Sequence, residues 1–83
     1  MRVFICDVDE FRPVIDHARD LPGVSAQRRG PYVELDCEGP LVIDRRATGA
    51  RHAVWYSFVA GVSGGRVVQF DADAFTVEPA DAE

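Results

Sequence analysis

The residues with the most chemical content lie between positions 45 and 66. Arg45, Arg46 and Arg51 flank one turn, His52 opens the segment His52-Ala-Val-Trp55-Tyr56, and Arg66 follows a glycine-rich break. A guanidinium is a planar, permanently charged fork that grips carboxylate or phosphate through paired N–H bonds and stacks on aromatic faces. Arg45, Arg46, Arg51 and Arg66 around Trp55 and Tyr56, with His52 beside them, therefore form a candidate surface for a small anionic ligand or a protein partner's acidic segment. The competing reading is a solvated hairpin whose arginines pair with Asp44 and Glu34, an arrangement worth little energetically.

Other constellations fall short of a chemical signature. All nine basic residues are arginine and there is no lysine, which fits a GC-rich, bacterial coding genome and rules out Schiff-base chemistry and a phosphate-loop lysine. Gly61-Val-Ser-Gly-Gly65 resembles a phosphate cradle only superficially, because β-forming residues rather than a helix follow it; it reads as a hairpin turn. Asp71-Ala-Asp73 opens like a calcium loop but has Phe75 at the next ligand position and lacks the turn glycine. Asp7, Asp9 and Glu10 have no histidine at ligand spacing and read as helix-start acids. His17 sits among polar helix residues, and neither it nor His52 accompanies a nucleophile motif. Cys6 and Cys37 lie inside apolar runs, where free cysteine acts as a small buried hydrophobe. No metal site, cofactor or catalytic residue is expected.

Charge narrows the classes of partner. The net charge is −5, divided as −2 over residues 1–23, +2 over 24–66 and −5 over 67–83. An acidic chain without lysine is poorly suited to nucleic acid, where phosphate neutralisation supplies most of the affinity. No apolar stretch approaches the ~20 residues of a membrane span, and no secretory leader pattern is present. A reduced, cytoplasmic protein is the expectation.

The elements that must position these residues follow from patterning. Eighty-three residues, 47% hydrophobic and 28% charged, fit one domain, expected over 1–79 with a frayed acidic tail at 80–83. Arg2–Val8 reads as a central strand. Phe11, Val14, Ile15, Ala18 and Leu21 recur at helical spacing, so one amphipathic helix is predicted over about 9–21, with Asp9 as its cap, Pro13 in its first turn and Pro22-Gly23 as its stop. Strands are predicted at 24–29, at 33–37 (where Val33, Leu35 and Cys37 alternate with polar residues), and at 41–46, 66–70 and 75–78. Arg51–Ala60 fits either a strand or a helix, with aromatic and β-branched content favouring the strand. The resulting α+β architecture, β-α-β-β-β-β, places one helix across a mostly antiparallel sheet in a cystatin-like arrangement. With residues 51–60 as a second helix it becomes a ferredoxin-like split βαβ. Architecture alone carries no function.

Two functions are compatible with this reading. One is a non-catalytic protein-interaction or accessory module, self-associating or bound to another protein, because Val54–Val59 as a strand places large apolar groups on both faces and only one can cover the helix. The alternative is an anionic-ligand domain or cofactor-free enzyme with an arginine–aromatic pocket.

Overall fold

Val3 and Ile5 drive the first strand: both are fully buried in β1 (Arg2–Cys6), which lies between two neighbours as the sequence predicts. The computed structural model describes residues 1–80; Asp81–Glu83, most of the expected tail, lie outside the described residues. Ala80 is tied down, its N–H donating to Gly64 O at 2.9 Å.

The helix is shorter than its apolar pattern. Asp9–Phe11 form a 3₁₀ turn, and α1 (Arg12–Arg19) follows with Pro13 at its start, where the missing N–H costs nothing. No side chain caps either N-terminus, so the expected Asp9 cap is not made. Val14, Ile15 and Ala18 are buried, and Phe11 and Leu21 flank them from outside the helix. The chain then reverses through Gly23, whose φ of 76° lies in the left-handed region that favours glycine.

Downstream of α1 the strands divide between two antiparallel sheets. β2 (Val24–Arg29) and β3 (Tyr32–Cys37) form a hairpin beside β1, and β5 (Val59–Ser63) pairs with the other edge of β1, giving the order β2-β3-β1-β5. β4 (Leu41–Asp44), β7 (Ala74–Pro79) and β6 (Gly65–Phe70) form a second sheet in the order β4-β7-β6. Two single-turn helices, α2 (Arg45–Thr48) and α3 (His52–Trp55), connect β4 to β5. The fold is thus α+β with mostly antiparallel sheets; the described residues hold seven strands and three short α-helices, where the sequence reading has one helix.

Two expectations are corrected here. Residues 51–60 are neither a second helix nor one strand: one helical turn ends at Trp55 and a strand begins at Val59, so the split-βαβ alternative does not apply. The glycine-rich break is not a hairpin either. Gly61–Ser63 belong to β5, and Gly64 (φ 72°) is the corner at which the chain leaves one sheet for the other.

Cross-strand partners share a face, which locates the core. Val3, Ile5, Val33, Leu35 and Cys37 from the first sheet meet Leu41, Ile43, Phe75 and Val77 from the second in one cluster, closed by Val14, Ile15 and Ala18 of α1. On the outer face of the first sheet, Glu34 stands opposite Gln27 and Phe4. It is only 3% exposed, covered by Arg29 (Nε–Oε1 2.9 Å) and Arg2 (Nε–Oε2 3.4 Å), so both carboxylate oxygens are matched by cations.

Gly65, just past the corner, is the glycine with the least room for a side chain. A Cβ there would lie 2.9 Å from both Met1 Sδ and Val77 Cγ1. The methionine tip can move, but Val77 is fully buried and β-branched. Gly65→Ala is therefore expected to cost about 1–3 kcal/mol, read as a lower urea midpoint with unchanged m. Gly39→Ala, which meets nothing within 4 Å, is the control expected to be near neutral.

Candidate functional site

The local sequence explains how the arginine-rich segment folds. Asp44 caps α2, its Oδ1 accepting from Arg46 N at 3.3 Å. Thr48 Oγ1 donates to Arg45 O at 2.6 Å and accepts from Ala50 N at 3.0 Å, and Gly49 (φ 73°) takes the left-handed C-terminal position. Three residues after Gly49 α3 begins, held by Trp55 N donating to Arg51 O at 2.8 Å.

This turn carries Trp55 inward. Its indole is 0% exposed, and Nε1 donates to Asp71 O at 2.6 Å, joining α3 to the β6–β7 turn. Phe58, three residues on, is also fully buried, with its ring 5.1 Å from Trp55 and 5.3 Å from Phe75. The expected second apolar face of Val54–Val59 is thereby corrected: Trp55 and Phe58 both belong to this chain's own core.

What remains outside is an aromatic edge. Tyr56, 43% exposed, lies against Phe70 with ring centroids 5.6 Å apart, and His52 meets Tyr56 edge-on at 4.8 Å. Phe70, 37% exposed, closes the outer side of the buried stack, 5.9 Å from Trp55 and 5.0 Å from Phe75. A bulge between Val67 and Gln69 sets Val67 opposite Val77 and Phe70 opposite Phe75, although at this sheet edge Val67 stays 43% exposed. Val68 is the extra residue and is 45% exposed. β6 is also the last strand of its sheet, so its free main-chain edge runs beside these side chains.

The seven sequence candidates separate accordingly. Arg45 donates from Nε to Ala72 O, and its N–H donates to Asp73 O at 3.0 Å, placing it at the turn that also receives the Trp55 indole. Arg46, Arg51 and His52 are exposed on α2, α3 and their connection. Tyr56 is at the centre, and Trp55 lies beneath as support. Arg66 stands at the far end of β6, opposite Glu78, with which it pairs at 3.8 Å. Asp44 and Glu34, the expected salt-bridge partners of this segment, act as a helix cap and as the acceptor for Arg2 and Arg29. Phe70, Val67 and Val68 were not among the candidates; the signal was the break in alternation in Val67-Val68-Gln69-Phe70.

The β6–β7 turn is organised by Asp71. Its Oδ1 accepts from Asp73 N at 2.9 Å and Ala74 N at 3.1 Å, and the Gln69 amide donates to both of its oxygens. These bonds, led by the Asp73 and Ala74 N–H groups, hold the Asp71 pKa below the usual carboxylate value. Cys37 is buried and its thiol pKa is pushed up by desolvation. Cys6 and Cys37 are both free. They lie at opposite ends of the β1–β3 ladder, since Cys6 pairs with Tyr32 and Arg2 with Asp36, too far apart for a disulfide. No helix of the described residues is long and apolar enough to cross a membrane.

No protein-family model matches the chain, and no curated protein sequence does. Among solved structures, a chain from the structure of a phenol hydroxylase–regulatory protein complex is similar to it, with a TM-score of 0.73 and 25% identity. The match covers 94% of this chain and 98% of that one, so the two correspond over nearly their whole lengths. That neighbour is a regulatory protein of an enzyme complex.

Asp71→Asn tests the turn. A carboxylate whose folded pKa is depressed contributes stability above its unfolded pKa, and that contribution is lost as pH falls through the folded value. The variant is expected to be less stable than the parent at pH 7, with the gap narrowing as pH falls below about 4. Urea titrations of both proteins across that range check it; a gap independent of pH would refute the role of the charge.

Proposed function

We propose that this chain is a small non-catalytic regulatory protein that acts by docking onto a larger enzyme. The observation that carries the reading is the likeness, over almost all of both chains, to the regulatory protein of a phenol hydroxylase complex. A hydroxylase is accordingly the proposed class of partner.

The proposed contact surface is the edge formed by Tyr56, Phe70, Val68 and Val67, with Arg45, Arg46, Arg51 and His52 around it. Interface energy concentrates in aromatic anchors, while rim charges steer approach and set orientation. Tyr56 and Phe70 have the required character, since each is exposed on one side and held from beneath by packed rings. In this reading Arg66 is a surface ion pair outside the contact. The free thiols suit a reducing, cytoplasmic setting, and the acidic chain favours a protein over nucleic acid or membrane as partner.

Calorimetric titration into a phenol hydroxylase, with turnover measured in parallel, tests the proposal. Saturable binding accompanied by a change in hydroxylation rate is expected. Tyr56→Ala should weaken binding by about tenfold or more, equivalent to about 1.4 kcal/mol, and Arg66→Ala should have little effect. Absence of binding, or equal losses in both variants, would count against it.

The open β6 edge favours one second reading, self-association through paired β6 strands of two copies. Light scattering at micromolar concentration would then give a dimer that Val68→Asp converts to monomer. A monomer in both cases removes this reading and leaves the first intact.

A further inference from the structure

We propose that the groove between α1 and β2 is a binding site for a small oxyanion, phosphate or carboxylate, remote in sequence from the aromatic edge. A cleft of about 210 Å³ there is lined by Asp7, Arg12, Arg19 and Arg28, with Ala26 and Val33 in its wall. Three guanidinium groups face one carboxylate, leaving a surplus of two positive charges in a chain whose net charge is −5.

The geometry shows which donors are committed. Arg12 Nη2 contacts Asp7 Oδ1 at 2.6 Å, so this pair is satisfied and fixes the helix start against β1. Arg28 contacts Asp7 Oδ2 at 3.7 Å and Gly30 O at 3.4 Å, in both cases through Nε. No hydrogen bond among the described residues engages its two Nη groups, and the side chain is largely exposed. Arg19 makes no ion pair among the described residues and stands two helical turns from Arg12 on the same face of α1, about 10.5 Å along the axis. Asp7 thus serves as an internal acceptor that orients two arginines, and Arg19 and Arg28 supply the free forks for the ligand. Oxyanions are the matching chemistry because guanidinium donors fit two oxygens of one group at once. The sequence hides this site: Arg12 and Arg19 lie in the acidic stretch 1–23, and Arg28 comes from a different element, β2.

Titration with inorganic phosphate at constant ionic strength, balanced with sodium chloride and followed by amide chemical shifts, tests the site. Saturable shifts centred on Asp7, Arg12, Arg19, Ala26 and Arg28 are expected. Arg19→Ala and Arg28→Ala should each raise the dissociation constant by about tenfold, and Arg66→Ala should leave it unchanged. Both substitutions remove exposed side chains, and thermal midpoints of the variants confirm that they fold. An acetate titration separates the two sources: response to both supports a general oxyanion site, and response to phosphate alone narrows it to a dianion site. Non-saturating shifts, or binding unaffected in both variants, would overturn the proposal.

Discussion

Much of this small structure depends on one buried side chain and its single hydrogen bond. Trp55 has no solvent exposure, and its indole N–H reaches the Asp71 carbonyl. That bond satisfies a polar group whose burial unpaired would cost about 1–3 kcal/mol, and it joins α3 to the β6–β7 hairpin across sixteen positions of sequence. Phe58 and Phe70 pack on the indole at centroid separations of 5.1 and 5.9 Å, and Phe75 packs on both of them at 5.3 and 5.0 Å; such tilted and edge-on ring pairs each add about 0.5–1.5 kcal/mol beyond burial. The same stack decides what is left exposed. With Trp55 and Phe58 filling the interior, Phe70 becomes its outer member and Tyr56 lies over it.

The division into two sheets follows from a second constraint. A chain of this length cannot enclose a large core, so burial has to be shared among two sheets and one short helix. Gly64 and Gly65 allow the transition, the first through its positive φ and the second because the sheets approach too closely there for a side chain. Among the described residues the arrangement leaves β6 paired on one side only. An unpaired apolar strand edge is usually protected by charge, proline or a bulge; β6 has the bulge at Val68 and the Arg66–Glu78 pair, yet Val67, Val68 and Phe70 all stay exposed along it. A surface of this kind is consistent with a protein whose working state is a complex.

Much of the framework was legible from residues 1 to 37. Val14, Ile15 and Ala18 mark one helical face, Val33, Leu35 and Cys37 mark one strand face, and the structure buries all six. Position 51 onward was opaque for a physical reason. Periodicity identifies an element only when the element exceeds its own repeat, and His52–Trp55 is one helical turn separated by three residues from a five-residue strand. The partition of strands between sheets is likewise set by non-local pairing: β4 joins β7 across thirty residues, and nothing near Leu41 announces it. The arginine–aromatic cluster was half legible. His52 and Tyr56 do share a surface, and Arg45 lies beside the turn that supports it. Trp55 is interior because α3 rotates it inward, and Arg66 lies elsewhere because the glycine-rich corner leads to a different sheet.

The central claim is that the exposed aromatic edge, rather than the arginines alone or the outer face of the first sheet, meets a partner enzyme. Hydrogen–deuterium exchange of the free protein and of its complex with a phenol hydroxylase tests this most directly. The account predicts added protection over His52–Tyr56 and Val67–Phe70, with β2 and β3 unchanged. Protection confined to β2 and β3, with β6 exchanging as in the free chain, would contradict it.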